Sequence, residues 1–136
     1  MEAVPSHILR MHTIETPHAP HPAGHYAQAV VNGGLVFVAG QLPIDPSDPQ
    51  RPPGDVEEQT ERALRNVEAI LSAAGSGLDR LLSVTVYVAD ISLWQRVNAA
   101  YGRVLGAHRP ARAVVPVTQL HHGYLVEIQA VAATRD

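Results

Sequence analysis

The strand-like segment Tyr124–Ala132 is apolar on both of its faces, and this limits the possible folds more than any other feature of the chain. Side chains of an extended strand alternate, so Leu125, Glu127, Gln129 and Val131 share one face, and Tyr124, Val126, Ile128, Ala130 and Ala132 share the other. Such a strand belongs in a sheet that is covered on both sides. Leu81–Val88 alternates in the same way, with Leu82, Val84, Val86 and Val88 opposed to Leu81, Ser83, Thr85 and Tyr87. Two further β-rich runs, Ala27–Val31 and Leu35–Gly40, flank Asn32-Gly33-Gly34, where glycine accepts positive φ and closes a hairpin. Ala113–Val117, after Pro110, is a fifth strand.

Helices must supply the cover. Asp55 and Glu58 have the spacing of a capping box, and Val56, Thr60, Ala63, Leu64, Val67, Ile70, Leu71 and Ala74 follow at helical spacing up to Gly75. A second helix starts at Asp90 or Ser92, buries Trp94, Val97, Tyr101, Val104 and Leu105, and closes at Gly106. The order β-β-α-β-α-β-β predicts an α+β two-layer sandwich with both helices on one face of the sheet. The second face then needs another copy of the chain, which predicts a homo-oligomer. Pro43–Gly54 carries five prolines and reads as a surface loop. Residues 1–25 hold five of the eight histidines and show no hydrophobic period. They read as an irregular N-terminal arm, its first dozen residues mobile, ahead of one domain over 26–136.

Composition excludes several functions. With no cysteine there is no disulfide, no thiolate nucleophile and no cysteine metal site. A net charge of −3, scattered arginines and 4% aromatic residues argue against nucleic acid as a partner. No apolar run is long enough to span a membrane, and the expected location is the cytoplasm. His18, His21 and His25 have a metal-like spacing, but Pro20 and Pro22 forbid the helix that would align them, so no metal is expected. His121 and His122 lie in a polar turn and read as solvated. There is neither a nucleophile elbow nor a phosphate-cradling glycine loop.

Two charged residues stand out. Arg112 enters an apolar strand, where a guanidinium needs a carboxylate, either from a small ligand or from an internal salt bridge, unless it remains an exposed edge charge. Glu127 is the only ionisable residue between Tyr124 and Ala133. Burial would raise its pKa toward the range of a proton carrier. It could equally be the partner of Arg112 or point to solvent, and the residues alone leave these readings open.

Five stretches together resemble the RidA (YjgF) family over about residues 15–133: Gly24-His25-Tyr26-Ala27-Gln28-Ala29-Val30, Ala39-Gly40-Gln41-Leu42-Pro43-Ile44-Asp45, Val97-Asn98-Ala99-Ala100-Tyr101, Pro110-Ala111-Arg112 and Val126-Glu127-Ile128-Gln129-Ala130. The resemblance implies a chorismate mutase-like fold, a homotrimer with a central barrel, and clefts between subunits. It implies hydrolysis of reactive enamines and imines such as 2-aminoacrylate to a keto acid and ammonia, without a cofactor. By position, Arg112 would bind the substrate carboxylate and Glu127 would position or activate the water. Tyr26, Gly40 and Asn98 would line the cleft.

The chain departs from the family pattern at His25, Ala27, Ala39, Val114 and Pro116. Apart from His25, the first four replace a hydrogen-bonding or polarisable group with an apolar one. Ala39 and Val114 are expected at the cleft, which favours a larger or less polar substrate than 2-aminoacrylate. The His121-His122 turn would reshape its rim. Two alternatives fit the same resemblance: a non-catalytic module that binds small carboxylates and regulates a partner, and a deaminase of one pathway acting on an aminomuconate-like enamine.

Overall fold

Asn32 and Leu35 face each other across Gly33 and Gly34, whose φ values of 61° and 80° close a two-residue hairpin between β2 (Ala29–Asn32) and β3 (Leu35–Gln41). The computed structural model describes residues 10–135, and six strands form one sheet in the order β1-β2-β3-β6-β4-β5. The others are β1 (His12–Ile14), β4 (Leu81–Val88), β5 (Ala111–Pro116) and β6 (Val126–Ala133). All neighbours are antiparallel except β4 and β5, which run parallel with α2 (Trp94–Leu105) as the crossover.

The first helix, α1 (Val56–Ala73), starts as its sequence predicts. The Asp55 side chain accepts from the Glu58 amide at 2.9 Å, and the Glu58 carboxylate accepts from the Asp55 amide at 3.3 Å. Its end follows from Gly75, at φ 74°, with the Ser76 amide reaching back to Leu71 O at 2.8 Å. Leu64, Val67, Ile70 and Leu71 of α1 are fully buried, as is Val97 of α2. They cover Val36 and Val38 of β3, Val84, Val86 and Val88 of β4, and Val126 and Ile128 of β6. Both helices therefore cover the same face of the sheet.

The other face is covered by no helix among the described residues. It carries Val30, Phe37, Tyr87, Val115 and Val131, matched side by side by the strand register, and Phe37 is 46% exposed.

Three expectations need correction. The arm is not wholly irregular: His12–Ile14 pairs with β2, and Ala19 joins the core. The Gln28 side chain holds this segment, donating to Thr16 O at 3.0 Å and to Pro20 O at 3.1 Å while accepting from the Thr16 amide at 2.7 Å. Of the dozen residues expected to be mobile, 1–9 lie outside the described residues. Leu82 is 48% exposed and Leu81 is buried, because the register shifts between Leu81 and Ser83. Trp94 is 40% exposed rather than core. No described helix is long and apolar enough to cross a membrane.

Candidate active site

Glu127 lies on β6 opposite Tyr87 of β4, so its side chain belongs to the helix-free face. A bulge in β3 sets its surroundings. Val38 pairs with Ala130 but Gln41 pairs with Ile128, so one extra residue is accommodated around Ala39 and Gly40. That displacement lays Gly40 against Glu127 so closely that a Cβ on Gly40 would stand 2.9 Å from Glu127 Oε2. Tyr26, Ala39, Gly40, Glu127, His121 and His122 share the wall of a cavity of about 520 Å³. Asn66 of α1 fixes another wall, its side-chain amide donating to Leu42 O at 3.0 Å and Ile44 O at 2.9 Å.

No donor among the described residues satisfies the Glu127 carboxylate. Burial pushes its pKa above the ordinary carboxylate value, and the nearby charge of His121 opposes that rise. Tyr26 is half exposed, and its hydroxyl accepts from the Ala23 amide at 3.3 Å.

Arg112 lies on the other side of the sheet. Its partner on β4 is Val84, whose side chain is buried beneath the helices, so Arg112 points toward α2. There the guanidinium carbon stands 4.8 Å from the centre of the Tyr101 ring and 5.7 Å from that of Trp94, and Nη1 donates to Asn98 Oδ1 at 2.9 Å. Two cation–π contacts and one hydrogen bond orient the guanidinium, yet no carboxylate among the described residues pairs with it. Asn98, Tyr101, His108, Arg109 and Arg112 line a second cavity of about 600 Å³. The Tyr101 hydroxyl is buried beside it with no hydrogen-bond partner among the described residues, and burial raises its pKa while the Arg112 charge lowers it. Val114 faces the same way as Arg112, against Val86, and packs on the core.

The residues singled out by sequence thus form two groups. Tyr26, Gly40 and Glu127 share one cavity, and Asn98 and Arg112 share the other, with the sheet between them. An internal Arg112–Glu127 salt bridge is excluded, since the two project from opposite faces. Sequence reasoning missed the structural parts of Trp94 and Asn66. For Trp94, a signal existed in its spacing of four from Asn98. The described residues hold no cluster of histidines and acids fit for a metal ion.

Residues 16–134 match the family described as Endoribonuclease L-PSP. A RutC family protein of Pyrococcus abyssi is 42% identical over 88% of this chain and 94% of its own length. The 2-iminobutanoate/2-iminopropanoate deaminase of Rattus norvegicus is 39% identical over 93% of this chain and 92% of its own. Among solved structures, E. coli TdcF with bound serine superposes with a TM-score of 0.85 at 34% identity, covering 90% of this chain and 98% of that one. The single sheet and two helices described above are the mixed α+β fold of these structures.

Proposed function

The chain belongs to the RidA (YjgF) family, that of Endoribonuclease L-PSP, and from that premise we propose that it hydrolyses reactive 2-imino acids and their enamine tautomers to 2-oxo acids and ammonia. The observation that carries this reading is the pairing state of Arg112 and Glu127. Arg112 is oriented by its own chain, Glu127 lies against Gly40 in a cavity wall, and no described residue of opposite charge forms a salt bridge with either. A preset guanidinium without an acid partner is a receptor for a small carboxylate. The rat relative is named for its action on imino acids and the E. coli relative is solved with an amino acid bound, and both ligands carry such a carboxylate.

The separation of the two cavities leads to the assembly. We propose a homotrimer in which the helix-free face of one copy, with Glu127, meets the β5 edge of the next, with Arg112. Phe37, Val115 and Val131 on that face supply the apolar contact. Arg112 then fixes the substrate carboxylate, and Glu127 of the adjoining copy holds the water that attacks the C=N carbon. The 520 Å³ cavity and its apolar Ala39, Leu42 and Ile44 favour imino acids with a longer side chain than 2-aminoacrylate. RNA is a poor substrate for a chain with a net charge of −3.

The test is to generate 2-iminopropanoate and its longer homologues with an amino-acid oxidase and to follow imine loss. Wild type is expected to accelerate the loss, with the longer homologues preferred. Arg112→Ala is expected to be slower by about 100-fold, the value of two charge-assisted hydrogen bonds. Equal rates for wild type and Arg112→Ala would remove the proposal.

A further inference from the structure

Three histidines stand around the Glu127 cavity, and the reaction outlined above uses none of them. His121 and His122 come from the turn ahead of β6, and His21 comes from the arm. The turn is unusual in its backbone. His122 holds φ 59° and ψ 18°, in the left-handed region that a side chain disfavours, and Gly123 follows at φ 74°. The rings are arranged as well. The His121 ring lies 5.5 Å from that of His122, which meets Tyr124 edge-on at 6.1 Å. His121 thus lines the cavity beside the His122 ring while itself exposed.

We propose that His121 is a second catalytic residue of this site, the proton carrier that works opposite Glu127. The inference rests on the imine hydrolysis proposed above. Hydrolysis of a C=N bond removes a proton at oxygen and adds one at nitrogen in each step, and a second carrier spares Glu127 from reaching both atoms. Water adds to the carbon, a C–O bond forms, and the π pair of C=N moves to nitrogen. Glu127 takes the proton that the water loses, and the His121 imidazolium gives one to the nitrogen, leaving a neutral carbinolamine. In the second step the C–N bond breaks. Glu127 returns its proton to the departing nitrogen, which leaves as ammonia. His121 takes the hydroxyl proton as the carbonyl forms, and both residues regain their starting states.

Imidazole is suited to this exchange because its ring nitrogens can both give and take a proton. Among the described residues, the other titratable groups facing the cavity are His21 from the arm, Tyr26 just after it and His122 from the same turn. Across β4, Tyr87 directs its hydroxyl to Gln129 Oε1 at 2.9 Å and away from this role. Arg112 of the adjoining copy carries the substrate. His121 and Glu127 line the same cavity, so one ligand there can meet both.

The experiment compares the pH dependence of kcat/KM for 2-iminopropanoate hydrolysis in wild type, Glu127→Gln, His121→Gln, His121→Ala and His122→Ala, with added imidazole in a second series. Wild type should show an alkaline limb in kcat/KM. His121→Gln should lose about 100-fold in kcat, the usual share of one general acid–base group, together with that limb. Imidazole should restore His121→Ala but not Glu127→Gln. A His121→Gln enzyme with the wild-type rate and pH profile would overturn the role of His121 while leaving the hydrolase reading intact. Absence of turnover in the wild type would overturn both. A limb that disappears in His122→Ala and persists in His121→Gln would move the role to His122 and overturn the assignment made here.

Discussion

Gly40 stands so near Glu127 that its missing side chain is part of the site. Its backbone is not in the left-handed region, and the three nearest atoms an alanine Cβ would meet all belong to the Glu127 side chain, the first being Oε2 at 2.9 Å. Gly40→Ala is expected to displace the Glu127 carboxylate and lower kcat by about 10- to 100-fold, as misplaced catalytic groups do, while the unfolding temperature changes little. Steady-state kinetics beside thermal unfolding checks this. Glu127 itself must be ionised to act on water, and burial raises its pKa above the ordinary 4.5 while His121 lowers it. The acidic limb of kcat/KM is therefore expected above pH 4.5, and it should move to still higher pH in His121→Gln, where the opposing charge is gone. Glu127 was legible in the sequence as a lone charge in an apolar strand. Its contact with Gly40 was not, because it depends on the β3 bulge and on which strand lies beside β3.

At the scale of elements, α1 both covers the core and shapes the cavity. The buried Asn66 amide ties down the carbonyls of Leu42 and Ile44, and buried Gln59 accepts from the Leu125 amide at 2.8 Å just before β6 begins. Asn66→Leu is expected to cost about 2 kcal/mol, since two carbonyls lose their donor. It should also raise KM, because the wall made by Leu42 and Ile44 is freed. Denaturant unfolding and kinetics of the same variant measure the two effects. The helices and their caps were legible from Asp55, Glu58, Gly75 and Gly106, where local chemistry decides the outcome. The inward stripe of α2 was legible only in part. Periodicity gives a helix face, not the extent of the layer beneath it, and Trp94 overhangs the sheet edge where Arg112 sits.

For the whole molecule, the apolar character of both faces of β6 was the informative feature, with one face covered by helices and the other bearing Phe37, Val115 and Val131. The strand order was not legible, since β6 inserts between β3 and β4 from far along the chain, and β1 gave no periodic signal in its three residues. Arg112 pairs with Val84 and Glu127 with Tyr87, which alternate on β4, so the two project from opposite faces and the proposed shared site requires a second copy. Phe37→Asp is expected to dissociate the assembly and abolish turnover together, which sedimentation beside activity detects. The most direct measurement mixes two inactive variants, Arg112→Ala and Glu127→Gln, by refolding them together. If each site takes Arg112 from one copy and Glu127 from the next, random mixed trimers should recover roughly a quarter of the wild-type rate, because each interface has that chance of combining both intact residues. No recovery in any mixture, with mixed assemblies shown to form, would contradict a site built between subunits.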